Sequence, residues 1–173
     1  MNRKKLRKLT MASVLAALTC VLTILIQIPT PTKGYVNLGD CMVNVSAWLL
    51  GPAYGAAAAG FGSAAADILS GYVIYAPATL VIKSLMAFFC FAVYNTLTKK
   101  FSSFPSRIVA AVVSELIMLA GYFVFDIILY SSLAIAVAGM TSSVFQGIMG
   151  AASSVMLYEA VIKRIPMKNF QVK

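Results

Sequence analysis

Six ionisable side chains lie within or at the ends of apolar stretches of this 173-residue chain: Asp40, Asp67, Lys83, Glu115, Asp126 and Glu159. In hydrocarbon each would cost at least ~2.5–3.5 kcal/mol, so each calls for a partner or a function. Counted at about 1.5 Å per residue from the nearest expected helix end, Asp40, Asp67, Asp126 and Lys83 all fall within about 9 Å of the same side. A Lys83–Asp67 or Lys83–Asp126 bridge would pin helices together and do no more. Three carboxylates for one ammonium, however, leave acceptors in need of another partner. Asn37, Tyr72 and Tyr75 adjoin this group from the loops, and Gln146 lies about 10 Å inside its helix. Polar groups and aromatic rings converging on a concave site are what a small planar polar ligand requires, although each tyrosine alone would also serve as an interfacial anchor. Asn37, Asp40, Asp67, Tyr75, Lys83, Asp126 and Gln146 are therefore the candidate substrate-binding residues.

The remaining acids read differently. Glu159 and Lys163 stand four apart in the order that favours a helical ion pair, a structural role. Glu115 lies deeper and faces either the inner half of the bundle or another protein. Catalysis has no support: there is no HExxH, no Gly-x-Ser-x-Gly, no histidine base and no GxxxxGK[ST] loop. The chain thus reads as no enzyme, without catalytic residues, metal or cofactor of its own, and any ATP consumed would be consumed by another chain. Cys20, Cys41 and Cys90 are isolated, which argues against a zinc site or a disulfide scaffold.

The elements that must position these groups are apolar helices. Hydrophobic residues make up 61% and charged residues 11% of the chain, against about 25% charged in soluble domains. The expected fold is all-α: one transmembrane domain over residues 1–173, a compact bundle of six helices at about 6–28, 39–50, 52–69, 77–97, 105–131 and 139–165. Helix two is too short for the roughly 20 residues a span needs, and the Gly51-Pro52 turn makes helices two and three one hairpin. The first apolar run exceeds a signal-peptide h-region and is taken as helix one.

The net charge of +9 does not point to nucleic acid, because 12 of the 14 basic residues gather at helix ends: Arg3 to Lys8, Lys99, Lys100 and Arg107, and Lys163 to Lys173. By the positive-inside rule both termini are cytoplasmic and the outer connections are 29–38, 70–76 and 132–138, where only Lys33 is charged. Rows of small residues, Gly51/Gly55/Ala59/Ser63 and Gly139/Ser143/Gly147/Ala151, suit close packing between helices. Ala12 and Ala16 form a similar face on helix one near the membrane surface, where another protein could dock.

The block YVNLGD (35–40), LLGPAYGAAAAGFGSAAADILSGY (49–72) and YAPATLVIKSLM (75–86) resembles the substrate-binding S components of energy-coupling factor (ECF) transporters. The likeness runs from about residue 6 to 164 and is strongest to the riboflavin-transporter-type family, in its hydroxymethylpyrimidine and pyridoxine branch. The resemblance implies a six-helix subunit in the cell membrane that binds a vitamin or precursor outside and docks on a transmembrane T component carrying two ATPases. It places docking at Ala12 and Ala16 and ligand contacts at Asn37, Asp40, Lys83, Asp126 and Gln146, with release by toppling of the subunit. The compact chain favours a ring system smaller than isoalloxazine. A riboflavin-binding S component and a stand-alone ion-coupled secondary carrier are the alternatives.

Overall fold

A computed structural model describes residues 3–29 and 35–164. Five helices run α1 (Arg3–Leu25), α2 (Gly39–Leu69), α3 (Ala76–Leu97), α4 (Ser103–Tyr130) and α5 (Leu133–Ala160), and a 3-10 turn (Ile162–Arg164) closes the described chain. Among the described residues, four stretches are long and apolar enough to cross a membrane: Lys5–Leu25, Ala76–Leu97, Ser103–Tyr130 and Leu133–Arg164. Their outward faces carry Val81, Leu116, Ile128, Ile148 and Met156, all exposed, as lipid-facing helices require.

The expected six helices are thus five by continuous range, with α2 broken at Gly51. That residue takes φ 80°, ψ −172°, a backbone open to glycine and strained for other residues. Pro52 follows, adding no N–H and starting the next helical arm with a preset φ. The arms, 39–50 and 52–69, fold back tightly: a Cβ built on Gly55 would lie 2.8 Å from the Ser46 carbonyl oxygen. The first arm rises only about 18 Å and is a part-span.

Two boundaries differ from expectation. Helix one stops at Leu25 rather than Ile28, because Pro29 disfavours helical backbone at the preceding residue. The chain instead forms a short antiparallel ladder, β1 (Gln27–Pro29) against β2 (Tyr35–Asn37), so the fold is not purely helical. The 132–138 connection is also overturned. Ser131 adopts a left-handed conformation, Ser132 caps α5 by accepting from the Ile135 N–H at 3.4 Å, and the helix-forming run that follows starts at once. Lys33, Ile165, Lys168 and Lys173 lie outside the described residues.

Close approaches hold the bundle. A Cβ on Gly62 would sit 2.4 Å from the Ala16 carbonyl oxygen, and one on Gly60 would sit 2.1 Å from Ser84 Oγ, so α2 meets α1 and α3 nearly backbone to backbone. At the basic end Arg107 donates to Glu159 Oε1 at 2.5 Å and to the Tyr94 hydroxyl at 3.1 Å. Its guanidinium lies 3.8 Å from the Tyr158 ring centroid, and Lys163 donates to the other oxygen of Glu159 at 2.7 Å. The expected Glu159–Lys163 pair is therefore one limb of a clamp joining α3, α4 and α5.

Candidate ligand pocket

At the opposite end the helices open into a cavity of about 700 Å³, its mouth included. Alternating chain direction brings there the end of α1 (Thr23), the end of α2 (Ser63, Asp67), the start of α3 (Thr79, Lys83), the end of α4 (Tyr122, Asp126) and the start of α5 (Gly139 to Gln146). Tyr35, Val36 and Asn37 of β2 complete the wall, with Tyr72 and Tyr75 from the α2–α3 turn.

Six of the seven candidates, Asn37, Asp67, Tyr75, Lys83, Asp126 and Gln146, line this cavity. Asp40 lies beneath it, with no exposed surface. Its carboxylate forms an ion pair with Lys83, itself 3% exposed, and its second oxygen accepts from Gln146 Nε2 at 2.6 Å. Gln146 Oε1 in turn accepts from the Asn37 backbone N–H at 3.1 Å and its side-chain amide at 3.3 Å, while Asn37 Oδ1 accepts from the Gly39 N–H at 2.8 Å. The floor is thus a relay, Lys83–Asp40–Gln146–Asn37, joining three helices to β2. The bridge that the sequence suggested between Lys83 and Asp67 or Asp126 is made to Asp40 instead, because the short first arm of α2 carries Asp40 under the Lys83 ammonium.

The wall carboxylates have tyrosine partners. Tyr35 donates to Asp67 at 2.5 Å and Tyr75 to Asp126 at 3.2 Å, with the Tyr130 hydroxyl 3.0 Å from that of Tyr75. Tyr35 also packs on Tyr72, ring centroids 4.7 Å apart. Burial, then the adjacent Asp67 charge, push the Tyr35 phenol well above its ordinary range, so it remains a donor. Glu115 faces neither solvent nor a partner surface: it is buried and accepts from Asn44 Nδ2 at 3.1 Å.

Sequence reasoning found Tyr72 and Tyr75 but missed the hydroxyl residues that the helices contribute to this wall. Ser63–Asp67, Thr79–Lys83, Tyr122–Asp126 and Ser142–Gln146 each stand four apart, and every member lines the cavity. That spacing puts both residues of a pair on one helix face, so the signal was there to read.

The docking expectation, Ala12 and Ala16, falls on a face of α1 that α2 partly covers. Ala12 is 7% exposed within the core, while Ala16 is half-buried with its backbone carbonyl against Gly62, so part of this face packs on α2. The exposed small residues of α1 are Thr10, Ser13 and Ala17, on a different face. The Thr10 and Ser13 hydroxyls are turned back onto the Leu6 and Leu9 carbonyls, which leaves a smooth row.

Comparison with known proteins fits this architecture. Residues 3–163 match the family model of the ECF-type riboflavin transporter, S component. The chain belongs to this family. The S component resembles a protein of Pyrococcus woesei described as "Uncharacterized protein in gap 3'region", 34% identical over 138 residues, covering 79% of this chain and 86% of that one. It shares its fold with a solved S component of a bacterial ECF transporter, with TM-score 0.75 at 18% identity, over 94% of this chain and 99% of the other. S components bind a small-molecule substrate and associate with T and ATPase components, so this chain is a multi-pass transport subunit and not itself an enzyme.

Proposed function

We propose that this S component captures a small B-vitamin or vitamin precursor, of pyridoxine or hydroxymethylpyrimidine type, at the outer face of the cell membrane. ATP hydrolysis by partner subunits then drives its delivery inward. The observation that carries the reading is the composition of the cavity: a polar floor with the Lys83 ammonium and the Gln146 amide, carboxylates at Asp67 and Asp126, and tyrosine rings on the wall. Such a site offers stacking surface and several fixed hydrogen bonds to one small ring. The cavity lies at the end away from Arg3 to Lys8, Lys99, Lys100, Lys163 and Arg164, and the positive-inside rule then puts it outside with the termini in the cytoplasm. The T component would dock along the open Thr10/Ser13/Ala17 row, where small side chains allow close helix approach.

Equilibrium dialysis of the purified protein against pyridoxine, hydroxymethylpyrimidine and riboflavin tests this. Submicromolar binding of either of the first two is the expected result. Binding of none, by protein whose fold is intact in size-exclusion chromatography and circular dichroism, refutes it. Riboflavin is the second reading, favoured by the family description, and its tight binding to the exclusion of the others would replace the first.

A further inference from the structure

Two carboxylates in the cavity wall, Asp67 and Asp126, form no ion pair among the described residues. Asp40 neutralises Lys83, and Glu159 at the far end is taken by Arg107 and Lys163. Lys83 is the one basic side chain among the described residues lining the cavity. Asp67 meets the Tyr35 hydroxyl, with the Thr79 hydroxyl also beside it and Lys83 farther off, and Asp126 meets the Tyr75 hydroxyl.

The deficit is sharpest at Asp67. Its Oδ1 holds the Tyr35 hydroxyl, but its buried Oδ2 has no hydrogen-bond partner among the described residues. Ser63 Oγ, one helical turn earlier, and Thr23 Oγ1 on α1 are equally buried and equally unpartnered, and both residues line the same cavity. Buried polar atoms seldom stay unsatisfied, and three along one wall point to a group that arrives from outside the chain. An ionised carboxylate can only accept, so that group must donate.

We infer that the pocket selects a nitrogen heterocycle bearing an amine or protonated nitrogen, held against Asp67 with Asp126 as the second anchor, over congeners carrying an oxo or phosphate group there. This rests on the proposed capture of a small ring. An N–H donated to a carboxylate is a charge-assisted bond, whereas an oxo lone pair turned toward it is repelled. A site built around a hydrogen bond rejects the analogue that cannot make it more strongly than an apolar pocket rejects a change of size.

A matched pair tests the inference: 4-amino-5-hydroxymethyl-2-methylpyrimidine and its 4-oxo congener, titrated calorimetrically into wild type, Asp67→Asn and Asp126→Asn, each checked for an intact fold. Wild type should prefer the amine about tenfold or more. Asp67→Asn, which presents an amide able to donate, should erase or reverse that preference, and Asp126→Asn should weaken it independently. Equal binding of the two congeners by wild type, or an equal loss for both in Asp67→Asn, overturns the inference and leaves ring capture standing. If neither congener nor pyridoxine binds to folded wild type, ring capture fails and the inference falls with it.

Discussion

Lys83→Met removes the ammonium from a pair that has almost no contact with water. Asp40, with no exposed surface, would keep a single strong donor, Gln146 Nε2 at 2.6 Å. Breaking a buried pair from one side costs about 3–5 kcal/mol, because the remaining charge stays desolvated and uncompensated. Substituting both partners, Lys83→Met with Asp40→Asn, leaves no orphaned charge. The amide at position 40 still offers an oxygen to Gln146, so the double variant should lose about 1 kcal/mol or less relative to wild type. The double variant is then more stable than Lys83→Met by about 2–4 kcal/mol, and because Asp40→Asn alone orphans the buried Lys83 ammonium in the same way, the cycle gives a coupling larger than that difference. Unfolding in mixed micelles, followed by far-ultraviolet circular dichroism across a denaturing-detergent titration, measures all four corners. Ligand binding should be weak in every variant lacking Lys83, since its ammonium lies on the cavity floor. A Lys83→Met variant as stable as the double would refute the reasoning, because it would mean that water or another cation reaches Asp40.

Three further outcomes are expected. Gly62→Ala should destabilise the protein by about 1–3 kcal/mol in the same assay, since its Cβ has a backbone carbonyl of α1 and not a movable side chain in its way. Arg107→Lys should recover only part of the stability lost in Arg107→Gln, because an ammonium cannot span Glu159, the Tyr94 hydroxyl and the Tyr158 face together; full recovery would reduce the clamp to simple charge pairing. Ser13→Trp with Ala17→Trp should spare ligand binding and abolish copurification with a T component, whereas Ala12→Trp with Ala16→Trp should lower thermal stability first. The reverse pattern in pull-down and melting experiments would restore the original docking face.

The helices were legible because lipid imposes long apolar runs, and their ends were legible where Pro52, Pro77 and Pro105 mark helix starts. Less legible were the ends where a cap competes with composition. The Ser131–Ser132 pair reverses the chain in two residues, although the apolar stretch after it could equally read as loop. Individual site residues were found because ionisable groups stand out in hydrocarbon. Their pairing was not, since it depends on how far the short first arm of α2 descends, and that distance follows from tertiary packing rather than local pattern. How far α2 covers the Ala12/Ala16 face of α1 was illegible for the same reason: small residues on a helix mark close approach without saying whether the neighbour is internal or a second protein.

The fold-back at Gly51 also has a consequence for biosynthesis. Asp40 leaves the ribosome 43 residues before the lysine that neutralises it and 106 before the glutamine that fixes its other oxygen. A 12-residue arm bearing that acid has little reason to enter lipid by itself. It must wait at the translocon or the interface until α3 supplies a counter-charge, and its final seat exists only after α5 has arrived. The ligand floor is therefore complete only when residues of α2, α3 and α5 have all been inserted, and ligand binding doubles as a report that these helices have assembled.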